Sequence, residues 1–354
     1  MQNYIQKIEN ICIIKTSSLG DICHMMPFIH TLRSKFPKAK ITWIIGSQEK
    51  KLVENFKDIN FIIFNKSKTF KSYMQVYRGI KKIKFDVLFL MQVSTRTNVM
   101  ASLVSSPIKI GFDKGKSSEL HNFFINRTIK PVRDNHMVDT LLSFLDVIGL
   151  NKDDYIYNWD LQQKINDEQI LDKFSIEKNN YFLINACSRD KNRNWSVGNY
   201  ASVADYIINK YSLGCFFIGS NSEYDKNYFY LIKSKMKKKS SNLVGETSIN
   251  ELIPIIKYAR FLISPDSGPI HLATSVNTPV VGLYGVTNTR RAGPYNSKEY
   301  CIDMYDEALI KFSNIKKENV KWRYKNKHKD TMNLIKVDDV IRKIDSLLGF
   351  GEIN

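Results

Sequence analysis

Three short stretches of this chain carry residue types that could do chemistry, and each follows a run of apolar, β-forming residues. The first is Lys15–Pro27, KTSSLGDICHMMP. A loop of small residues leads through Gly20, which tolerates close backbone approach or positive φ, to Asp21, whose carboxylate would project from a helix start. Ser17, Ser18 and Asp21 would serve equally well as a plain helix cap. The stretch lacks the G-x-x-x-x-G-K-[ST] and G-x-G-x-x-G spacings of phosphate loops. The second is Ser264–Tyr284, SPDSGPIHLATSVNTPVVGLY. Here a helix starts at about Pro269, and proline suits the first helical turn because its missing N–H is not needed there. Free backbone N–H groups beside Ser267 and Gly268 would take an anion. Asp266 suits sugar hydroxyls better than phosphate. Asp266 or Ser267 could instead be simple caps, and His271 could be a packed core residue. The third is Asn185–Trp195, NACSRDKNRNW, where Arg189, Lys191 and Arg193 crowd into five residues. A solvated turn would look similar. Facing a ligand, the cluster could neutralise a diphosphate, with arginine forming bidentate bonds and lysine acting as a point charge.

The elements that must position these stretches alternate. Strands are expected at Ile11–Ile14, Ile41–Ile45, Phe61–Phe64, Val87–Met91 and Ile108–Ile110. Helical patterns fall at His24–Phe36 and at roughly 49–57, 69–82 and 94–105. A long amphipathic helix is expected over His136–Leu150, with Val138, Leu141, Leu142, Leu145 and Ile148 on one side. Asn151–Asn180 is polar and reads as a linker, with one strand-like piece at Tyr155–Tyr157. A second alternation follows. Its strands are Phe182–Ala186, Cys215–Ile218, Phe261–Ile263 and Val280–Tyr284. Its helices are Trp195–Tyr211, Tyr224–Lys238, Ile249–Tyr258 and His271–Val276. A last helix begins at about Val337. Strand–helix alternation means βαβ units on parallel sheets. The expected fold is therefore α/β, with two tandem Rossmann-like doubly wound domains facing a cleft. The boundaries expected are 1–165, 166–330 and a C-terminal helix in 331–354 that packs back on the N-terminal domain. Ligands of such sheets sit at the carboxyl ends of the strands, where all three chemical stretches lie.

Length and charge narrow the function. The chain has 354 residues, 43% hydrophobic and 25% charged, with a formal net charge of +18. Two cores are affordable at this size, and the excess of positive charge points to an anionic partner. Five cysteines, with no C-x-x-C, disfavour a disulfide framework or a zinc ribbon and suit a reducing cytoplasm. The N-terminus reads as no signal peptide, because its apolar run is short. No stretch approaches the roughly 20 apolar residues of a membrane span.

The stretches KTSSLGDICHMMP, CSRDKNRNW, LVGETSINEL and SPDSGPIHLATSVNTPVVGLYG, in this order and spacing, resemble the ADP-heptose:lipopolysaccharide heptosyltransferase family, nearest its first-heptose (heptosyltransferase I) type. The resemblance covers nearly the whole chain. It implies a GT-B architecture, inversion at the anomeric carbon, ADP-L-glycero-D-manno-heptose as donor, and Kdo on lipid A as acceptor. It matches Asp21 to the general base. On the donor side it matches Ser188 and the Arg189–Arg193 cluster to phosphate contacts, with Lys191 and Arg193 both candidates for the family's lysine. Glu223 matches an acid on the adenosine ribose, and Thr247 a backbone contact to adenine. Asp266 matches a heptose-hydroxyl ligand, and Ser267, Gly268 and His271 match the pyrophosphate site. On the acceptor side, Lys15 and Ser18 stand beside Asp21, and Arg96 and Lys109 are candidates for Kdo carboxylate or phosphate contacts.

The chemistry agrees with these assignments. Inverting transfer needs a base on the acceptor hydroxyl and charge stabilisation of the departing ADP. The chain has no Asp-x-Asp to clamp a metal diphosphate. A basic cluster and a helix N-terminus could serve instead, so neither metal nor cofactor is expected. Residues 66–84 carry seven Lys/Arg and no acid, and 311–329 carry eight with one Glu. Anionic lipid would attract the first run at about 1 kcal/mol per cation. A peripheral, salt-sensitive enzyme on the cytoplasmic face of the inner membrane is therefore expected, and a monomer. Two other readings are a related inverting transferase with another nucleotide sugar or a later heptose acceptor, and a basic nucleic-acid-binding protein. The second lacks any helix-turn-helix, zinc-finger or RNP pattern, so no nucleic-acid partner is expected.

Overall fold

The computed structural model describes residues 8–117, 119–131, 136–313, 315 and 319–349. The chain forms two compact units, Met1–Lys164 and Ile165–Asn354. In the first, six parallel strands pair in the order β3-β2-β1-β4-β5-β6. They are β1 (Asn10–Ile14), β2 (Lys40–Gly46), β3 (Ile59–Phe64), β4 (Val87–Leu90), β5 (Ile108–Gly111) and β6 (Arg127–Thr128). The central strands are continuous apolar runs because both faces are covered. Cys12, Ile14, Leu88 and Leu90 meet Val76 and Ile80 of α2 (Thr69–Ile80) and Met100 and Ala101 of α3 (Thr95–Leu103). On the opposite face Phe89 packs edge-on against Phe28 of α1 (Leu19–Lys35).

The second unit repeats the plan. Its strands are β7 (Tyr181–Asn185), β8 (Gly214–Gly219), β9 (Ser241–Val244), β10 (Leu262–Pro265), β11 (Val280–Tyr284) and β12 (Ile302–Asp303), all parallel, in the order β12-β11-β10-β7-β8-β9. Its longer helices are α4 (Val197–Tyr211), α5 (Glu223–Lys233), α6 (Ile249–Lys257), α7 (Gly268–Ser275) and α8 (Val337–Gly349). Strand order reverses between β1 and β4 in one sheet and between β7 and β10 in the other. At such reversals the loops beyond the carboxyl ends part and leave room for a ligand.

Several expectations need correction. The last helix, expected to pack on the N-terminal domain, buries its stripe of Val340, Ile344 and Leu348 in the C-terminal core with Trp195, Ile207 and Ile302. Asp345 of α8 accepts hydrogen bonds from the hydroxyls of Tyr206 and Tyr211 on α4, and Trp195 Nε1 donates to the Ile335 carbonyl at 3.0 Å. This helix thus has both apolar and polar partners within its own unit. The long helix expected over His136–Leu150 ends at Leu142. A tighter turn, Asp146–Ile148, follows and closes on Gly149 at φ 99°. Leu141, Leu142, Leu145 and Ile148 stay buried, so the periodicity marked the core side while the backbone changed its winding. The helix expected at 49–57 reduces to Ser47–Lys50, and Tyr155–Tyr157 forms no strand. Much of the expected linker is held down. The Ile156 N–H donates to Thr31 Oγ1, and Lys35 pairs with Asp154. The short strands β6, β9 and β12 escaped the sequence reading. Parts of the basic run at 311–329 (residues 314 and 316–318) lie outside the described residues. No helix among the described residues is long and apolar enough to cross a membrane.

Candidate active site

In the N-terminal unit, β1 runs into the small-residue turn, which carries a cis peptide between Ser17 and Ser18, and α1 begins at Leu19. Asp21 occupies the third helical position. Its Oδ2 accepts from the Ser18 N–H at 2.7 Å and from the Ser18 hydroxyl at 3.0 Å, and its Oδ1 lies 3.2 Å from the Lys15 ammonium. Lys15 is buried, whereas the Asp21 side chain keeps 27% of its surface. Burial pushes this carboxyl up, but the Lys15 charge and the Ser18 donors outweigh it and hold the acid below its ordinary value. Capping and availability are therefore compatible. The carboxylate closes the helix start and remains an ionised, partly open proton acceptor at neutral pH.

The turn itself is fixed by Gln92, just beyond β4. Its Oε1 accepts from the N–H groups of Thr16 (2.7 Å) and Ser17 (3.2 Å), and its Nε2 donates to Ser17 Oγ at 3.0 Å. Trp43 Nε1 also donates to the Lys15 carbonyl. A Cβ at Gly46 would stand 2.4 Å from the Thr16 carbonyl oxygen, so only glycine lets β2 pass this turn. Sequence reasoning missed Gln92. The one available signal was a polar residue immediately after the apolar run VLFLM.

Of the candidate acceptor residues, Lys15 and Ser18 are spent on Asp21. Arg96 is exposed in the first turn of α3. Lys109 lies apart from the others. It pairs in register with Leu88, early in β4, and its half-buried ammonium donates to the Ala101 carbonyl near the end of α3. A cation there satisfies a helix C-terminus.

In the C-terminal unit the residues gather along one sheet edge. Asn185, the last residue of β7, is buried and donates to Cys187 O, Ser264 Oγ and Ser267 Oγ at 2.9–3.0 Å. The Ser267 hydroxyl is thereby drawn back toward β10 and does not cap α7. Ser188 donates its hydroxyl to the Asp266 carbonyl at 2.9 Å, and its N–H is held by Asn194. Arg193 Nη1 meets both the Asp266 carbonyl and Asp266 Oδ2 at 2.9 Å. These contacts lock the loops after β7 and β10 together and set a cation beside an uncapped helix start. Dipole, N–H groups and guanidinium together favour an anion. His271 is buried in the first turn of α7.

Lys191 and Arg193 part company. Lys191 Nζ lies 4.1 Å above the Tyr224 ring, toward α5, and Arg189 is exposed. Glu223 opens α5 with its side chain 83% exposed, 3.6 Å from Lys226. Thr247 stands in the turn after β9. Gly245 takes φ +81° in that turn, and a Cβ there would meet Asn221 at 2.9 Å. The turn is therefore pressed onto the segment leading into Glu223. Asp266 and Gly268 thus follow β10, Ser188 and Arg193 follow β7, Glu223 follows β8 and Thr247 follows β9. That is the spatial order of the strands, three steps of about 4.8 Å each. Asn185, Asn194 and Tyr224 were not singled out from sequence; Asn185 stood out only as a polar residue closing an apolar strand. Among the described residues no cluster of three or more His, Cys, Asp or Glu is arranged to hold a metal.

A sequence model of glycosyltransferase family 9 (heptosyltransferase) matches residues 73–321, more than half of the chain. The chain belongs to this family. Its two parallel six-stranded α/β sheets match those of GT-B heptosyltransferase structures. The family 9 glycosyl transferase from Veillonella parvula superposes with a TM-score of 0.78 at 23% identity, covering 96% of this chain and 97% of that one. E. coli heptosyltransferase WaaC with ADP superposes at 0.72 and 14% identity, covering 96% and 99%. In sequence the chain is 28% identical to the lipopolysaccharide core heptosyltransferase OpsX of Haemophilus influenzae, over 98% of this chain and 99% of the relative. As a family 9 member the protein is a glycosyltransferase, and the two strand-to-helix turns are where its chemistry is to be sought.

Proposed function

We propose that the enzyme transfers L-glycero-D-manno-heptose from ADP-heptose, with inversion, to Kdo of the lipid A-linked inner core of lipopolysaccharide. The observation that carries this reading is the order of groups along the C-terminal sheet edge. A sugar-hydroxyl ligand (Asp266), an anion site (Ser267, Gly268, Arg193), an acid for ribose (Glu223) and a backbone turn for a base (Thr247) follow one another over about 14 Å. This is the sequence of parts in an extended nucleotide-diphosphate sugar. Asp21 takes the proton of the acceptor hydroxyl as the new bond forms. Arg193 and the α7 start stabilise the diphosphate as it leaves. Asp266 serves twice, bracing Arg193 with Oδ2 and offering Oδ1 to a heptose hydroxyl. Similarity to a lipopolysaccharide core heptosyltransferase over the full chain supports the substrate class.

Thermal shift tests the donor half. ADP should raise Tm and UDP much less, since a site that bonds one base edge leaves buried groups unpaired with another. At 100 times Kd the stabilisation is about 2.7 kcal/mol. Mass spectrometry of products from ADP-heptose and Kdo–lipid A tests the whole. Equal stabilisation by UDP would remove ADP-heptose as donor, and an unmodified acceptor would remove Kdo.

A further inference from the structure

The described residues expose ten large apolar side chains, and six of them sit on three neighbouring elements of the N-terminal unit. Phe70, Met74 and Tyr77 lie on α2, Val99 on α3, and Leu120 and Phe123 on the turn Glu119–Phe124. The elements are tied side by side. Tyr73 of α2 donates its hydroxyl to the Arg96 carbonyl of α3, and His121 of the turn bonds Asn98 of α3 at 3.0 Å. Helix α2 is apolar on two sides. Ser72, Val76 and Ile80 face the core, whereas Phe70, Met74 and Tyr77, at i, i+4 and i+7, face solvent. Core packing explains the first stripe only. Phe70 is 77% exposed and Phe123 82%, far beyond the scattered apolar exposure of an ordinary surface.

Charge selects the occupant. Lys66, Lys68, Lys71, Arg78 and Lys81 are exposed around the stripe, and residues 66–84 contain no acid. Lys81 Nζ hangs 6.0 Å from the Tyr77 ring. A helix with aromatic and thioether side chains outward and cations along its flank suits the boundary between headgroups and acyl chains of an anionic bilayer. We infer that α2, with the adjoining Glu119–Phe124 turn, docks the enzyme on an anionic lipid surface by inserting Phe70, Met74, Tyr77 and Phe123. Attachment then has a hydrophobic component that survives salt, unlike attachment through lysines alone. The inference deepens the proposed lipid-linked acceptor and rests on it for its purpose, while the lipid contact follows from the surface itself.

The test is co-flotation of the full-length protein with phosphatidylethanolamine–phosphatidylglycerol vesicles or with phosphatidylcholine vesicles, without donor or acceptor. The protein should float with the anionic vesicles and should remain partly bound at about 1 M NaCl, where charge screening shortens to about 3 Å. The variant Phe70→Ser/Tyr77→Ser/Phe123→Ser should lose this salt-resistant part, with partition down about tenfold or more. Lys71→Gln/Arg78→Gln should lose mainly the low-salt preference for anionic lipid. Transfer to a soluble, delipidated Kdo acceptor should be unchanged in both. Failure of that transfer in the wild type would count against the acceptor assignment, not against docking. The docking assignment falls if the triple variant floats like the wild type, or if the wild type floats with neither vesicle. It also falls if the triple variant loses transfer to the soluble acceptor as severely as to the lipid-linked one.

Discussion

The turn from β1 into α1 and the turn from β10 into α7 both lie at the reversal of their sheets, one after the first strand of its unit and the other after the fourth. Each leaves a strand beside the reversal of its sheet, each passes through serine and glycine, and each carries one aspartate. They differ in where that aspartate falls relative to the helix start. Asp21 is the third residue of its helix, so its side chain folds back onto the Ser18 N–H and fills the positive end of the dipole with a carboxylate. Asp266 precedes the N-cap of α7, so its charge turns away to Arg193 and the helix start stays open. In the proposed mechanism this shift of a few residues makes one helix N-terminus the proton acceptor and the other the anion acceptor. Inverting transfer needs one of each.

The largest test of this contrast is Asp21→Asn. It keeps the shape and the bond to Ser18 but removes the proton acceptor, and kcat should fall by roughly 10²–10⁴-fold with ADP affinity unchanged. A small loss of Tm should accompany it, since the buried Lys15 ammonium would then face an amide. Retention of wild-type turnover would reduce Asp21 to a cap. Next in size is Arg193→Ala, which strips the cation from the open helix start. A charge-assisted bond is worth about 1.5–3 kcal/mol, so ADP should bind roughly ten- to a hundredfold more weakly by calorimetry; unchanged binding would leave Lys191 as the phosphate ligand. Gln92→Ala removes the clamp on Thr16 and Ser17 without touching Asp21. Turnover should drop by about tenfold, on the scale of two neutral hydrogen bonds, with KM for the donor unmoved. A purely structural role would lower Tm and leave kcat alone.

The pH profile sharpens the same contrast. The Asp21 acid is held below its ordinary value by Lys15 and the Ser18 donors, so the charged form persists as pH falls and is lost only below the usual carboxylate range. Activity should therefore show no acid limb from this group between pH 5 and 7, and a limb near pH 6 would assign the base elsewhere. The smallest effect is expected from Ser267→Ala. Its hydroxyl is tied to Asn185 and Ser264 and does not cap the helix. Helix stability should change by less than the ~1 kcal/mol of a true N-cap, read as a Tm shift.

Much of this was legible in the chain. Short apolar runs such as Ile11–Ile14 and Val280–Tyr284 are strands because a parallel sheet covered on both faces tolerates little else. The glycines, serines and aspartates after them mark where the backbone leaves the sheet. Those local signals located both turns, the basic cluster and the alternation of two doubly wound units. They could not show whether Asp21 caps or stays open, because that depends on Lys15 and Ser18 folding onto the same carboxylate. Nor could they separate Lys191 from Arg193, two residues apart, since one is claimed by the Tyr224 ring and the other by Asp266 far along the chain. Lys109 looked available for a ligand until the sheet placed it under the end of α3. Gln92 carried no motif at all and gained its place only when β4 paired with β1. Helix α8 shows the same division, its stripe written in the sequence and its partner chosen by the fold. Periodicity and turn chemistry act over a few residues and are fixed by the chain. The partner of a charge or an amide is set by which strands lie side by side, and that only the tertiary structure decides.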